Sequence, residues 1–341
     1  MKPTVYDIAH AAGVSLATVD RVLNARPGVR SVTREKVEQA ISELGYVRDL
    51  AAANLAKGRT YSFCFILPAN DNSFMVRLRE EVQEAIRHSA VERTQIEIID
   101  VSAFDPDALV SAIDEVLVRK PDGVAMVAVD APDVRVAVDR LKKAGIPVVT
   151  LVSDLSASSR DHFSGIDNSA AGRTAANLMG RFLSKVDGRV AILAGSMLVR
   201  DHRERLEGFL AVLAEDFPRV AILPVIEAQD DPATVEAMVR ETLRRFPDLS
   251  GIYSLGAGNR GLIRVLKGLD PAHRPVAIVH ELTPSTREAL QGDLIDAVLN
   301  QDPGHEVRSA VRVLKAKADG LPVLAAQERI RIDIFLKDNL P

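Results

Sequence analysis

The chain has 341 residues, 47% hydrophobic, 26% charged and only 4% aromatic, with no Trp. That length fits a small module joined to a larger or bilobed α/β body, and the scarcity of rings argues against an extended stacking platform for single-stranded nucleic acid. The formal charge of −4 hides an asymmetry: residues 1–60 hold nine Lys and Arg against six Asp and Glu, whereas residues 61–341 hold 34 against 41.

The basic surplus therefore sits at the N-terminal end, where phosphate contacts would use it. A single cysteine, Cys64, rules out an intrachain disulfide framework and points to a reducing compartment. Asp7 and His10 interrupt the N-terminal stretch and no apolar run follows, so no signal peptide is expected. No stretch approaches the ~20 apolar residues of a membrane span, and a cytoplasmic location is expected.

Thr4 and Asp7 have capping-box spacing, which predicts a first helix through Ile8, Ala9 and Ala12. Gly13 supplies a turn that tolerates positive φ, and Ser15 caps a second helix carrying Val19, Val22 and Leu23 on one face. A third helix is expected from near Thr33, burying Val37, Ile41 and Leu44 and ending at Gly45. Two short helices around a Gly-containing turn form a helix-turn-helix pattern, with a plain three-helix bundle as the alternative. Residues 47–60 are Ala-rich and end in Lys57-Gly58-Arg59-Thr60, which reads as a linker.

Beyond Ser62, short apolar runs alternate with amphipathic helical patterns. Strands are expected at Phe63–Leu67, Ile96–Val101, Val124–Val129, Val148–Leu151, Val190–Leu193, Val220–Val225, Ile252–Ser254, Val276–Val279 and Ala297–Leu299. Continuous apolar strands between helices imply parallel sheets covered on both faces. The polar stretch Ser153–Arg160 interrupts the series near its middle and favours two lobes over one large sheet.

The run Val5-Tyr6-Asp7-Ile8-Ala9-His10-Ala11-Ala12-Gly13-Val14-Ser15 resembles the opening of the LacI/GalR family of transcription regulators. So do Thr18-Val19, Arg21-Val22-Leu23-Asn24, Thr33-Arg34-Glu35-Lys36-Val37 and Leu44-Gly45-Tyr46. The resemblance implies a DNA-contacting set of Thr4, Tyr6, Ser15, Leu16, Ala17, Thr18, Arg21 and Asn24, with Leu16 and Ala17 as the positions that choose the operator. Neither of those two can hydrogen-bond a base edge, so apolar contact with a thymine methyl is what they offer. Arg21 is the hydrogen-bonding reader. Asp20, near phosphates, needs a cytosine amino group or a nearby cation as partner. The hinge Tyr46-Val47-Arg48-Asp49-Leu50-Ala51-Ala52-Ala53-Asn54-Leu55 also matches, which implies a hinge helix contacting DNA through Ala52 and wedging Leu55 into the minor groove. Arg48 and Ala53 depart from the common Pro and Arg there.

The remainder resembles, more loosely, the type I periplasmic-binding fold of ribose-type sugar sensors. That implies a three-helix helix-turn-helix module at 1–46, a hinge helix and linker at 47–60, and an effector-binding body at 61–341 made of two doubly wound parallel-sheet lobes. The N-lobe is expected over about 61–164 plus 291–325 and the C-lobe over about 165–290 plus 326–341. Ligand would lie between the lobes, outside the carboxyl ends of strands. Asn72, Phe74, Asp130, Ser153, Arg203, Asn259, Glu281 and Gln301 are the expected contacts. Ser153 stands where ribose-type binders carry an Arg, and Glu281 where relatives more often carry Asp. The implied function is a homodimeric repressor of a palindromic operator in double-stranded DNA, controlled by a sugar or polyol, with no cofactor, no metal, no membrane and no catalysis.

Competing readings belong to other classes. Gly256-Ala257-Gly258-Asn259-Arg260-Gly261 fits G-x-G-x-x-G, with Glu281 twenty residues past Gly261, as in an NAD-binding oxidoreductase. An exported transport binding protein would share the body but not the N-terminal module. A regulator of the same family sensing a non-sugar metabolite is the third.

Overall fold

The computed structural model describes residues 3–23, 26–46, 59–70, 72–89, 93–183 and 188–341. Contacts divide the chain into two units, Met1–Arg59 and Thr60–Pro341. The hinge segment, with Ala52 and Leu55, and the Asn24 position lie outside the described residues.

In the first unit, helices run over Val5–Ala12, Leu16–Leu23 and Ser31–Leu44. The capping box is present: the Asp7 amide donates to the Thr4 hydroxyl, and the Asp7 carboxylate accepts from the Thr4 amide at 2.7 Å. Gly13 ends the first helix at φ 65°. The Thr18 amide donates to Ser15 Oγ at 3.2 Å, so Ser15 starts the second helix as expected. Ile8, Val19, Val22, Val37 and Ala40 form the small core. The third helix begins two residues earlier than its pattern suggests, and Ala40 rather than Leu44 completes its buried face. Leu44 falls in the last turn and is exposed.

The second unit holds two sheets. The first comprises β1 (Tyr61–Pro68), β2 (Thr94–Val101), β3 (Gly123–Met126), β4 (Val148–Leu151) and β5 (His162–Ser164), in the order β2-β1-β3-β4-β5, all parallel. The second comprises β6 (Arg189–Ala194), β7 (Ala221–Ile222), β8 (Ile226–Glu227), β9 (Leu249–Ser254), β10 (Val276–His280), β11 (Ala297–Asn300) and β12 (Asp333–Phe335). Its order is β12-β11-β10-β9-β6-β7, with β8 also on β6 and only β12 antiparallel. Alternation along a strand explains the apolar runs. Phe63, Phe65 and Leu67 enter one core with Phe74, Leu78 and Leu314, while Cys64 and Ile66 enter another with Leu109, Ile113 and Leu141. The second sheet is covered likewise: Ala191 and Leu193 meet Val235 and Leu262, and Val190 and Ile192 meet Met179 and Phe209.

The chain passes between the lobes after Ser164, after Asn300 and again between Ala318 and Asp333. The second crossing was expected near residue 290. It comes later because Ala297–Asn300 pairs with β10 and stays in the C-lobe sheet, while helix Pro303–Ala318 packs its Val307, Val311 and Leu314 into the N-lobe core. Pairing in β3 stops at Met126 rather than Val129, and Val220–Val225 gives only the two-residue β7. The short β5, β8 and β12 lack a continuous apolar signature. Among the described residues no helix is long and apolar enough to cross a membrane.

Candidate functional site

A cleft of about 740 Å³ opens between the lobes, walled by the segments that follow the carboxyl ends of the strands. Asn70, Asn72 and Phe74 come from beyond β1, Phe104 from beyond β2, Val127–Val129 from beyond β3, Val152 and Ser153 from beyond β4, Asp230 from beyond β8, Glu281 from beyond β10 and Gln301 from beyond β11. This is where open parallel sheets place ligands. Four wall residues have left-handed backbone: Phe104 at φ 58°, Val152 at 62°, Asp230 at 58° and Glu281 at 72°. Such conformations cost a bulky L-residue of order 1–3 kcal/mol each and collect where a site demands a particular aim. A smaller chamber of about 370 Å³ adjoins, sharing Asn72, Phe74, Asp230 and Glu281 and reaching Asn259, Arg260 and His280.

The cleft's polar groups are buried and incompletely paired. Arg205 donates through Nε to Asn168 Oδ1 at 2.9 Å and through Nη1 to the Leu255 carbonyl at 2.8 Å, leaving Nη2 without a hydrogen-bond partner. The other Glu281 oxygen, Oε1, accepts from Gln301 Nε2 at 2.9 Å, while Glu281 Oε2, Gln301 Oε1 and Asp201 Oδ1 have none. Burial pushes the Glu281 carboxyl up to about 7, against the opposing pull of Arg205 and Gln301. Behind it Glu306 is fully enclosed with neither oxygen partnered, and burial together with the charge of Glu281 holds its pKa well above the usual range. Asp230 is better served, accepting from Asn72 Nδ2 and the Ala257 amide, each at 2.9 Å. His280, buried and hydrogen-bonded to the Tyr253 hydroxyl, is held neutral by burial and by Arg205. Unpaired polar atoms on residues that line a pocket suit a polyhydroxylated molecule, because each hydroxyl both donates and accepts.

Five expected contacts, Asn72, Phe74, Ser153, Glu281 and Gln301, meet in the main cleft. Phe74 both lines it and packs in the N-lobe core. Asn259 lines only the smaller chamber, where its amide bridges Ser254 Oγ and the His280 carbonyl.

Asp130 and Arg203 are not among the residues that line the cleft or the chamber. They pair with each other across its lip, and Asp130 also accepts from Arg135 and Ser156. Burial pushes the Asp130 carboxyl up, but the Ser156 hydrogen bonds and the two guanidiniums outweigh it and hold its pKa below the ordinary value. Helix geometry explains where Arg203 lies. On helix Arg200–Asp216, side chains two positions apart point to opposite sides, so Arg203 faces the lip while Asp201 and Arg205, one turn apart, face inward. The overlooked pair was readable: stepping back four at a time from the buried Leu213 and Phe209 reaches Arg205 and Asp201. Phe104 and Asp230 had no sequence signal, since both depend on irregular backbone after a strand.

Gly256 and Gly261 are used by packing. A side chain at Gly256 would crowd the Gly195 amide, and one at Gly261 would overlap the Pro232 carbonyl. The G-x-G-x-x-G spacing here lets turns and helices approach closely.

On the first unit, the second helix turns Val19 and Val22 inward and leaves Leu16, Ala17 and Arg21 exposed, with Ser15 and Thr4 also exposed and Thr18 partly so. Tyr6 is 69% exposed and Leu16 41%. Asp20 pairs with Arg26 at 3.2 Å, which supplies the cation its position needs.

Residues 63–322 match the family model for a periplasmic binding protein domain, and residues 4–49 match that for bacterial regulatory proteins, lacI family. Among sequence relatives, catabolite control protein A of Priestia megaterium is 31% identical over 153 residues, 45% of this chain and 44% of that protein. The HTH-type transcriptional regulator DegA of Bacillus subtilis (strain 168) is 26% identical over 216 residues, 63% of this chain and 62% of that protein. The matches thus span 44% to 62% of the relatives' length. An ABC transporter solute-binding protein of Burkholderia graminis C4D1M, solved with D-arabinose, superimposes with TM-score 0.72 at 25% identity, covering 82% of this chain and 96% of that one. GanP, a glucose-galactose binding protein of Geobacillus stearothermophilus, shares the fold with TM-score 0.72 at 21% identity, covering 83% and 99%.

Proposed function

We propose that this chain, which belongs to the lacI family of bacterial regulatory proteins and carries a body of the periplasmic-binding-protein domain family, is an operator-binding repressor governed by a small polyhydroxylated ligand. The observation that carries the reading is the cleft: Arg205, Asp201, Glu281 and Gln301 line it, are nine-tenths or more buried, and each keeps a side-chain polar atom without a hydrogen-bond partner.

Thr4, Tyr6, Ser15, Leu16, Ala17, Thr18 and Arg21 contact the operator, with Leu16 and Ala17 selecting the site and Arg21 hydrogen-bonding a guanine or phosphate. Asn24 and the hinge residues Ala52 and Leu55 complete that set. Two copies grip the two halves of a palindrome, which one small reader with a modest basic surplus could not hold alone. The protein works in the cytoplasm as a regulator, not a catalyst. Ligand favours one lobe arrangement over another and thereby changes operator affinity, releasing DNA when bound. Solute-binding proteins of this fold that carry monosaccharides support a sugar or polyol in this cleft.

The test has two arms. A thermal-shift screen of monosaccharides and polyols should find compounds that raise the melting temperature, and the same compounds should alter the gel shift of an operator recovered by binding-site selection. A screen in which none stabilises the protein removes the sugar reading. A selection that enriches no palindrome removes the operator reading.

A further inference from the structure

The main cleft is lopsided in charge. Four carboxylates line it, Asp105, Asp201, Asp230 and Glu281, against one guanidinium, Arg205, and one imidazole, His202. Two of the four are occupied: Asp105 caps a helix through the Asp107 and Ala108 amides, and Asp230 is held by Asn72 and Ala257. Asp201 and Glu281 are only partly served: His202 Nε2 stands 3.7 Å from Asp201 Oδ2, and Gln301 holds one oxygen of Glu281. Each has an oxygen without a hydrogen-bond partner, and Gln301, which lines the same cleft and donates its amide to Glu281, adds a third unpaired acceptor. Asp201 and Glu281 are near enough for the charge on one to oppose ionisation of the other. Arg205 approaches Asp201 only at 4.0 Å and spends two of its nitrogens on Asn168 and Leu255. In the smaller chamber the additional cation, Arg260, is exposed at the surface.

A neutral polyol would meet the orphan acceptors with hydroxyl donors but bring no charge, leaving the buried carboxylates costly unless one takes up a proton. An ammonium group resolves both deficits: it brings three donors, no acceptor and one positive charge. The rings of Phe74 and Phe104, which flank the same cavity, suit a cationic sugar as well, since a π face attracts both polarised C–H groups and cations.

We propose that the effector is an amino sugar or amino polyol whose protonated nitrogen is received by Asp201, Glu281 and Gln301. This rests on the reading of the cleft as a polyol site and narrows it to a cationic subclass.

Matched pairs decide the matter. Isothermal titration calorimetry on the full chain at pH 7.5 would compare D-glucosamine with D-glucose, D-galactosamine with D-galactose, and 1-amino-1-deoxy-D-sorbitol with sorbitol. At least one amine should bind roughly tenfold or more tighter than its hydroxyl counterpart, the scale of one charge-assisted hydrogen bond. Glu281→Gln should weaken the amine at least about tenfold more than it weakens the neutral partner, so that the preference disappears, and Asp201→Asn should do the same if the first variant fails to give a cooperative melt; equal losses for both partners would overturn the proposal. Neutral polyols binding as well as or better than every amine would overturn the proposal and leave the polyol reading intact. Binding by neither set would overturn both.

Discussion

Glu281 concentrates the physics of the cleft in one side chain. It sits in left-handed backbone, lies buried, and keeps one oxygen unpaired while Gln301 holds the other. Arg205, Asp201, Gln301 and Glu306 are the charged and polar groups whose fields reach it. Its folded pKa of about 7 exceeds the 4.5 of an exposed glutamate. The folded state therefore binds the extra proton between those values, and its stability relative to the unfolded chain falls as pH rises through that window. Between pH 5 and 8 the ligand-free protein should lose up to roughly 3 kcal/mol from this group, and Glu281→Gln should flatten that part of the curve. Melting temperatures of the two proteins across the range measure the difference; parallel curves would refute it. In the first unit Leu16 is the analogous residue. Its exposure carries no packing role, so Leu16→Gln should change operator preference in a binding-site selection and leave the melting temperature unchanged.

Elements explain what could be read from sequence and what could not. The parallel strands were legible because burial on both faces leaves continuous apolar runs, as in Phe63–Leu67 and Val276–Val279. The edge strand β12 was not, because Asp333 and Ile334 are exposed and its pairing is set by the last crossing. The helix Arg200–Asp216 shows the same division. Arg203 was picked from the sequence, but which arginine of this helix faces the cleft depends on helical phase, fixed by packing on helix Asn168–Phe182. Glycines make that packing close: a Cβ at Gly172 would overlap the Arg205 carbonyl, and one at Gly208 would overlap that of Ser169. Gly172→Ala should cost on the order of 1–3 kcal/mol and weaken ligand binding together with stability, because it pushes the backbone that carries Arg205. Denaturant titration and calorimetry on the same variant check both effects. Retention of wild-type ligand affinity would separate the helix contact from the site.

At the scale of the whole molecule, the lobes touch at both lips of the cleft. Asn72 donates to Asp230 on one side. On the other, Arg203 pairs with Asp130 and Arg200 donates to the Leu155 carbonyl. These contacts join residues that do not leave the chain when an effector does, so they bias the resting balance between closed and open forms. A ligand's apparent affinity is its intrinsic affinity scaled by the fraction of molecules already competent to hold it. Arg203→Ala should therefore weaken every effector by one common factor and leave the ranking among effectors untouched, which a calorimetric series over several ligands would reveal; unequal losses would instead mean that Arg203 touches the ligand. The lip thus acts as a gain control. Where the cleft decides which molecule is heard, the strength of the clasp beside it decides how loud the signal must be, and the two can drift or be engineered independently.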